Sequence, residues 1–421
     1  MPTIADQHFG SSGMDGFLLE NDQFITSSST GTMRTRRLDD ALEILWGLRQ
    51  AAGVTRISSI AGQDRIGLPI FNAARPNACA QNLTVATGKG TTSVSSLVSC
   101  LAEAYERHWA EPVHISPHSL TATELDLSNA GLDFVSINTV IGYPIVPKSS
   151  TESFDWTLAF DVTAGSDIAA PLDLIVAPYP SRYLSGASDG IACGNCRSEA
   201  FVHAVLELIE RDATSFARFA GLGKNVAIES VPSNLGDIID RIAVLGIATT
   251  IVRCESLLEI PVYYVVLDDQ VQRDPMMICA GAGAHPDPTV ALSRALTEAI
   301  QTRACVISGN REDLGAKYVQ LRHSGYNVVS AGIKDWVESF PNEQFDSSPH
   351  SSLGCGPAET ARSLVSMLEP LGHKLYCKLL SPPEAPMKVV TVFGVGFESA
   401  EAIGGIAGPR LRYEMNKRWA K

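Results

Sequence analysis

Hydrophobic residues along this chain switch between helical and alternating spacing, and the switches mark its elements. Leu38, Ala41, Leu42, Leu45 and Trp46 fall on one helical face, which predicts a helix from Leu38 to Ala52 that stops at Gly53. TRISSI and GLPIFNAARPN then read as short strands on either side of a turn at GQDRIG. A second helix is predicted from Ser93 to Ala110. FDWTLAFDVTAG and LDLIVAPYP read as strands, and after a central helix so do TTIVRC, PVYYVVLD and PMMICAGAG, punctuated by Pro261, Asp268, Asp269 and Pro275. A long helix opens at Asp287-Pro288, an N-cap with proline at the first helical position, and runs to about Ile307 before Gly309. Residues 340–356 form a polar loop or crossover. The last quarter gives a helix at ETARSLVSMLEPL, strands at HKLYCKLL and KVVTVFGVG, and a basic tail. Helices and strands alternate without a βαβ rhythm and no linker separates domains, so the expected class is α+β, or mixed α/β, with helices packed on mixed sheets.

The polar positions of three of these helices carry the functional signal. Ser185 to Ser215 begins as a small-residue loop and becomes a helix on which His203, Glu207 and Glu210 share one face. Two carboxylates on one stripe repel each other, more strongly when buried, and solvent, an arginine or a metal ion relieves them. The spacing recurs. Ser99, Glu103 and Glu106 lie before it and Arg294, Glu298 and Gln301 after it, each set at i, i+4 and i+7. One such helix is an ordinary solvated acidic face. Three, each interleaved with Leu, Ala and Ile, predict polar faces that converge on something charged.

Composition narrows the classes. The chain has 421 residues, 45% hydrophobic and 19% charged, enough for a sizeable core. The net charge of −13, with no basic run, excludes a protein that tracks phosphate backbones, so no nucleic-acid partner is expected. MPTIADQHFG has neither the basic nor the apolar region of a signal peptide, and no apolar run reaches membrane-spanning length. Nine cysteines, an odd count spread along the chain, do not make a disulfide framework. These features predict a cytoplasmic protein without a membrane partner.

Familiar motifs mostly fail. A P-loop around Gly88-Lys89-Gly90 would need glycine at Leu83 and Ser or Thr at Gly90. Gly186-Ala187-Ser188-Asp189-Gly190 matches G-x-S-x-G, but a nucleophile elbow needs a strand running straight in and a helix straight out. Here the apolar strand ends near Pro180 and the helix starts several residues after Gly190, so the segment reads as a loop. Cys193-x-x-Cys196 has no second pair and reads as two small buried cysteines. What remains is Glu103, Glu106, Glu199, Glu207, Glu210 and Glu298, hard oxygen donors suited to Mg²⁺, with Arg107, Arg211 and Arg294 available for phosphate oxygens. The residues alone therefore point to a Mg–nucleotide site built from three helices.

These segments resemble the three ATP-binding signatures of the YcaO superfamily, enzymes that activate peptide backbone amides with ATP. GKG-TTSVSSLVSCLAEAYER is similar to the first, GIACGNCRSEAFVHAVLELIERDA to the second and ALSRALTEAIQTR to the third. TRISSIAGQDRIGLPIFNAARPN resembles the lead-in of standalone members found beside TfuA or in trifolitoxin-type bacteriocin clusters. The resemblance implies ATP and Mg²⁺ as cofactors. It places Lys89, Ser99, Arg107, Asn195, Glu199, Arg211 and Arg294 on ATP, and Glu103, Glu106, Glu207, Glu210 and Glu298 on Mg²⁺. It implies azoline or thioamide formation in a precursor peptide, with an ATP-binding scaffold as the competing reading. It further implies a YcaO domain over 35–400 between a flexible segment at 1–34 and a tail at 401–421, a TfuA-like or leader-peptide-binding partner, and room for a homodimer. Three features depart from the family. Ser188-Asp189-Gly190 stands where Ser-Asn-Gly is usual, an early phosphate-contacting basic residue has counterparts only among Arg34, Arg36 and Arg37, and the end, Tyr413-EMNKRWAK, lacks the Pro-x-Pro-x-Pro of many azoline-forming members.

Overall fold

Three short strands of small and β-branched residues, each followed by a tight turn and a long capped helix, organise the chain. β3 (Val85–Lys89) leads into α2 (Ser93–Ala110), β7 (Ile191–Gly194) into α3 (Arg197–Ser215), and β11 (Ile278–Ala284) into α4 (Pro288–Ser308). Each helix starts on a side-chain cap that satisfies otherwise orphaned N–H groups. Thr92 and Ser95 form a reciprocal capping box, Cys196 Sγ accepts from Glu199 N–H, and Asp287 accepts from Thr289 and Val290 N–H. Pro288 stands at N1 as the sequence predicts, and Gly309 closes the helix in the left-handed region at φ +68°.

The computed structural model describes residues 33–79, 83–115, 119–142, 151–180, 188–311, 315–350, 353, 356–399 and 407–419. Most of the flexible segment expected at 1–34, Gly186 and Ala187 of the G-x-S-x-G match, and the start of the expected tail lie outside the described residues.

The strands of the described residues form three sheets. β1 (Arg56–Ser59), β2 (Ile70–Ala74) and β3 make an antiparallel sheet in that order, with Phe71 opposite Gly88. A six-stranded sheet runs β4 (Leu120–Ala122), β5 (Phe154–Asp161), β13 (Leu375–Leu379), β14 (Lys388–Gly394), β7, with β6 (Ser166–Pro171) also on β5. A five-stranded sheet runs β11, β10 (Val262–Asp269), β9 (Ile247–Cys254), β8 (Gly223–Val226), β12 (Asn342–Glu343). Thus β3, β7 and β11 are each the terminal strand of their sheet. Each long helix fills its own core: Cys100, Leu101 and Ala104 of α2 in one, Phe201, Val205 and Ile209 of α3 in a second, Leu292, Ala295 and Leu296 of α4 in a third. α1 (Leu38–Leu48) packs on α2, α5 (Pro357–Leu368) on α3, and α6 (Pro409–Trp419) on the turn after α3.

The α+β expectation holds, and the structure corrects three details. LDLIVAPYP is not a strand. The strand lies just before it at β6, and Leu172–Leu174 is a 3₁₀ turn that buries Leu172, Ile175 and Val176 without sheet pairing. PMM of PMMICAGAG is likewise a 3₁₀ turn, capped by Asp274, before β11 begins at Ile278. The first helix ends at Leu48 rather than Ala52, and its Trp46 is 45% exposed with the Arg49 guanidinium over its ring. The polar crossover at 340–356 holds the two-residue strand β12, which pairs parallel with β8. No helix among the described residues is long and apolar enough to cross a membrane.

Candidate active site

The turns from strand to helix bring each helix into backbone contact with its own strand. A Cβ at Gly88, Gly194 or Gly281 would overlap the backbone of Cys100, Ala200 or Ala299 respectively, so glycine alone permits this approach. Each helix also reaches the strand of the next unit: α2 touches β7, α3 touches β11, and α4 returns to β3. The three units therefore close into a ring, and the polar faces read from the sequence line its interior.

Within the ring the spacing has a consistent meaning. The i+4 residues accept hydrogen bonds from their own unit: Glu103 from Thr87 N–H at 3.3 Å, Glu207 from Gly190 N–H at 3.3 Å, and Glu298 from Ala282 N–H at 3.5 Å. The i+7 residues bridge to the next. Glu106 accepts from Cys193 N–H of β7 at 2.9 Å, Glu210 accepts from Ala284 N–H of β11 at 3.0 Å, and Gln301 donates to the Thr87 carbonyl of β3. Terminal strands have unpaired backbone groups, and the helices satisfy them. The i+4 side chains keep about a quarter of their exposure (27% for Glu103, 25% for Glu207, 28% for Glu298), whereas Glu210 keeps 6%. The i+4 carboxylates are thus the more open to a ligand, and the i+7 groups stitch the ring, Glu106 and Glu210 each through one oxygen, Oε2.

The cations follow the carboxylates. Lys89 pairs with Glu298 and Arg107 with Glu103. Arg211 lies 3.3 Å from Asp189, 3.3 Å from Glu207 and 3.7 Å from Glu210. Ser99 Oγ accepts from Lys89 N–H at 3.4 Å. Asn195 donates to both oxygens of buried Glu199 at 2.9 Å, and Glu199 also takes Arg34 at 2.7 Å and the N–H and hydroxyl of Thr35. Arg294 lines a small cavity with Met33, Glu199, His203 and His285.

Electrostatics divide the carboxylates. Burial, then Glu207 and Glu103, push the Glu106 carboxyl well above its usual range. Burial lifts Glu207 to about 8 against the pull of Arg211, with Asp189 and Glu210 adding to the rise. Burial also raises Glu210. Burial acts the same way on Glu298 and Glu199, but Lys89 and Arg211 hold the first below the usual carboxylate range, and Arg34, with hydrogen bonds from Asn195 and Thr35, does so for the second. Desolvation keeps His203 and His285 neutral, the latter near 3. Burial is the first cause of the rises at Glu106, Glu207 and Glu210 and like-charged neighbours add to it, so a cation bound beside these groups would offset both. Among the described residues, two buried atoms of the cluster, Asn195 Oδ1 and Arg294 Nε, have no hydrogen-bond partner. A nucleotide with its Mg²⁺ ions matches both deficits, cation for the carboxylates and polar partners for Asn195 and Arg294.

The three helical sets, Ser99, Glu103 and Glu106, His203, Glu207 and Glu210, and Arg294, Glu298 and Gln301, come together at this ring with Lys89, Arg107 and Arg211 beside them. Cys193 and Cys196 are buried as expected, one in β7 and one as the α3 cap. Ser188 is exposed, and β7 stands between it and the helix, so the geometry of a nucleophile elbow is absent there. Sequence reasoning missed Asp189 as the partner of Arg211, Thr35 as a ligand of Glu199, and Gln301 as the link that closes the ring. It left Arg34, Arg36 and Arg37 undivided, whereas the structure brings Arg34 to Glu199. The exact i+7 spacing of Gln301 was the available signal for that residue.

A family model described as an ATP- and Mg²⁺-binding YcaO cyclodehydratase matches residues 87–398. An uncharacterized protein of Methanothermobacter thermautotrophicus is 33% identical over 295 residues, 68% of this chain and 74% of that one. An uncharacterized protein in the tfuA 3′ region of Rhizobium leguminosarum bv. trifolii is 29% identical over 64% of this chain and 66% of its own. Among solved structures, YcaO from Methanopyrus kandleri bound with AMPPCP and Mg²⁺ superposes with a TM-score of 0.70 at 21% identity, over 89% of this chain and 95% of that one. A heterocyclase in complex with substrate and cofactor gives 0.70 at 18% identity over 87% of this chain, which spans only 53% of that longer chain. This chain belongs to the YcaO family, which is described as ATP- and Mg²⁺-binding.

Proposed function

We propose that this chain is an ATP-dependent enzyme that activates backbone amides of a ribosomally made precursor peptide by O-phosphorylation. The observation that carries the reading is the closed ring of part-exposed carboxylates interleaved with Lys89, Arg107 and Arg211. In this reading Glu103, Glu106, Glu207, Glu210 and Glu298 hold Mg²⁺, and Lys89, Ser99, Arg107, Asn195, Glu199, Arg211 and Arg294 hold the nucleotide. Bound MgATP supplies the phosphoryl group that turns an amide oxygen into a leaving group. The chain's own work is positional and electrostatic. The i+4 carboxylates are fixed by backbone N–H groups of their own units, and Arg107 and Arg211 by carboxylates, so charged groups are aimed before the ligand arrives.

The nucleophile belongs to the substrate. It adds to the carbonyl carbon, the amide oxygen takes the phosphoryl group, and inorganic phosphate departs with that oxygen. A Cys, Ser or Thr side chain yields an azoline, and external sulfide yields a thioamide. A TfuA-like or peptide-clamping partner is part of the proposal, because one relative is described by its position beside tfuA and the heterocyclase relative is a longer chain. The test is phosphate release by the full chain with its partner, with and without precursor peptide. Release that rises with peptide, in step with loss of water or exchange of oxygen for sulfur, supports the enzyme. Phosphate release equal in both arms, with the peptide unmodified, contradicts it.

A further inference from the structure

The end of α2 carries chemistry that the ATP ring does not use. His108 lies two residues past Glu106, about 200° further round the helix, and so faces away from the carboxylates. The chain then turns at Glu111 into the short helix Pro112–Ile115, which returns His114 to His108 with ring centroids 4.5 Å apart. One donor atom from each of His108, Glu111 and His114 falls within 4.8 Å of the other two. Among the described residues Nε2 of His114 is buried without a hydrogen-bond partner, while the His108 carbonyl hydrogen-bonds the same ring and the Trp109 ring packs 4.7 Å from it. Glu111 is 6% exposed, and its contacts with Arg75 at 2.7 Å and Cys79 N–H at 3.3 Å both fall on Oε1.

We propose that His108, Glu111 and His114 form a second metal site, for a divalent transition-metal ion of the Zn²⁺ class. Two imidazoles and one carboxylate suit such an ion rather than Mg²⁺, and three protein ligands leave one tetrahedral position for water. Ligating histidines characteristically hydrogen-bond a carbonyl through the rest of the ring, and ligating carboxylates carry an outer partner. The His108 carbonyl and Arg75 fill those two roles. The ion would clamp the last turn of α2, the helix that presents Glu103, Glu106 and Arg107, to the segment that follows it.

The test uses the full chain, stripped with chelator and titrated with Co²⁺ in a large excess of Mg²⁺, which saturates all-carboxylate sites. The expected result is one bound equivalent with the intense visible bands of a four- or five-coordinate ion. His108→Gln and His114→Gln should each weaken that binding by about tenfold or more, and Mg²⁺-dependent nucleotide binding should persist. Weak octahedral bands alone, or titrations that both variants leave unchanged, would overturn the site. Should both variants fail to fold by circular dichroism, the wild-type spectrum decides between the same two outcomes.

Discussion

Glu207 carries a carboxyl on which burial outweighs the pull of its neighbouring arginine. Its carboxyl is pushed up to about 8 from 4.5 by burial, and Arg211 alone pulls it down among its nearest charges before Gly190 N–H is counted. The folded apo chain therefore holds a proton that the unfolded chain has released, so this group's contribution to stability falls as pH rises from about 5 to 8. Glu207→Gln removes that dependence, and thermal melts of the apo variant should lie above wild type at pH 8 and close to it at pH 5. A wild-type advantage at pH 8 would contradict the assignment. The same substitution, or Glu210→Gln, removes a carboxyl that would ionise on binding Mg²⁺ and should lower ATP turnover by about 100-fold or more with the fold intact, measured as phosphate release beside circular dichroism. At this scale the sequence was legible wherever spacing along one helix defines a face. It was silent on Arg34 with Glu199 and on Gln301 with Thr87, whose partners lie 165 and 214 residues away.

At the level of elements, the repeated unit is strand, turn and capped helix in backbone contact. The positions of the three ring helices were legible because caps and apolar spacing agree over long segments, as at Thr92 and Asp287, whereas the helices Ser233–Val244 and Tyr326–Glu338 went unread. LDLIVAPYP was misread for a physical reason: Leu172, Ile175 and Val176 are buried by tertiary packing, and an apolar run looks the same whether a sheet or a turn buries it. The glycines of the strands report the close approach. Gly281→Ala should force β11 and α4 apart at a cost of roughly 1–3 kcal/mol or more, with a lowered melting temperature and weakened Mg²⁺-dependent nucleotide binding. Gly236, which has open space around it in the helix Ser233–Val244, serves as the control, and Gly236→Ala should not lower the melting temperature. Equal losses in both variants would contradict the packing account.

Across the whole molecule, the ring joins segments near residues 85–110, 190–215 and 278–308, which helices and sheets elsewhere in the chain hold in place. The three signatures were legible in the sequence, but their cyclic order was not, because it depends on which terminal strand each helix meets. A ligand shared by all three units stabilises the whole ring by binding only the folded chain. Mg²⁺ with a non-hydrolysable ATP analogue should raise the melting temperature of wild type, and Glu298→Gln on α4 should blunt that rise as strongly as Glu103→Gln on α2. A rise that survives either change would place the nucleotide elsewhere. The chain should also modify peptide slowly by itself and faster with its partner, and full-rate modification by the single chain would remove the partner from the account.

The central claim is that ATP acts on the peptide amide itself, and the fate of one oxygen atom tests it. The target carbonyl of a precursor peptide is labelled with ¹⁸O, and the peptide is modified by the enzyme with its partner and MgATP. Phosphate and peptide are then read by mass spectrometry. Direct O-phosphorylation sends the label into inorganic phosphate, one ¹⁸O for each azoline or thioamide formed. Unlabelled phosphate beside a modified peptide would show that ATP drives some other step, and amide activation would be wrong even with the nucleotide seated in the ring.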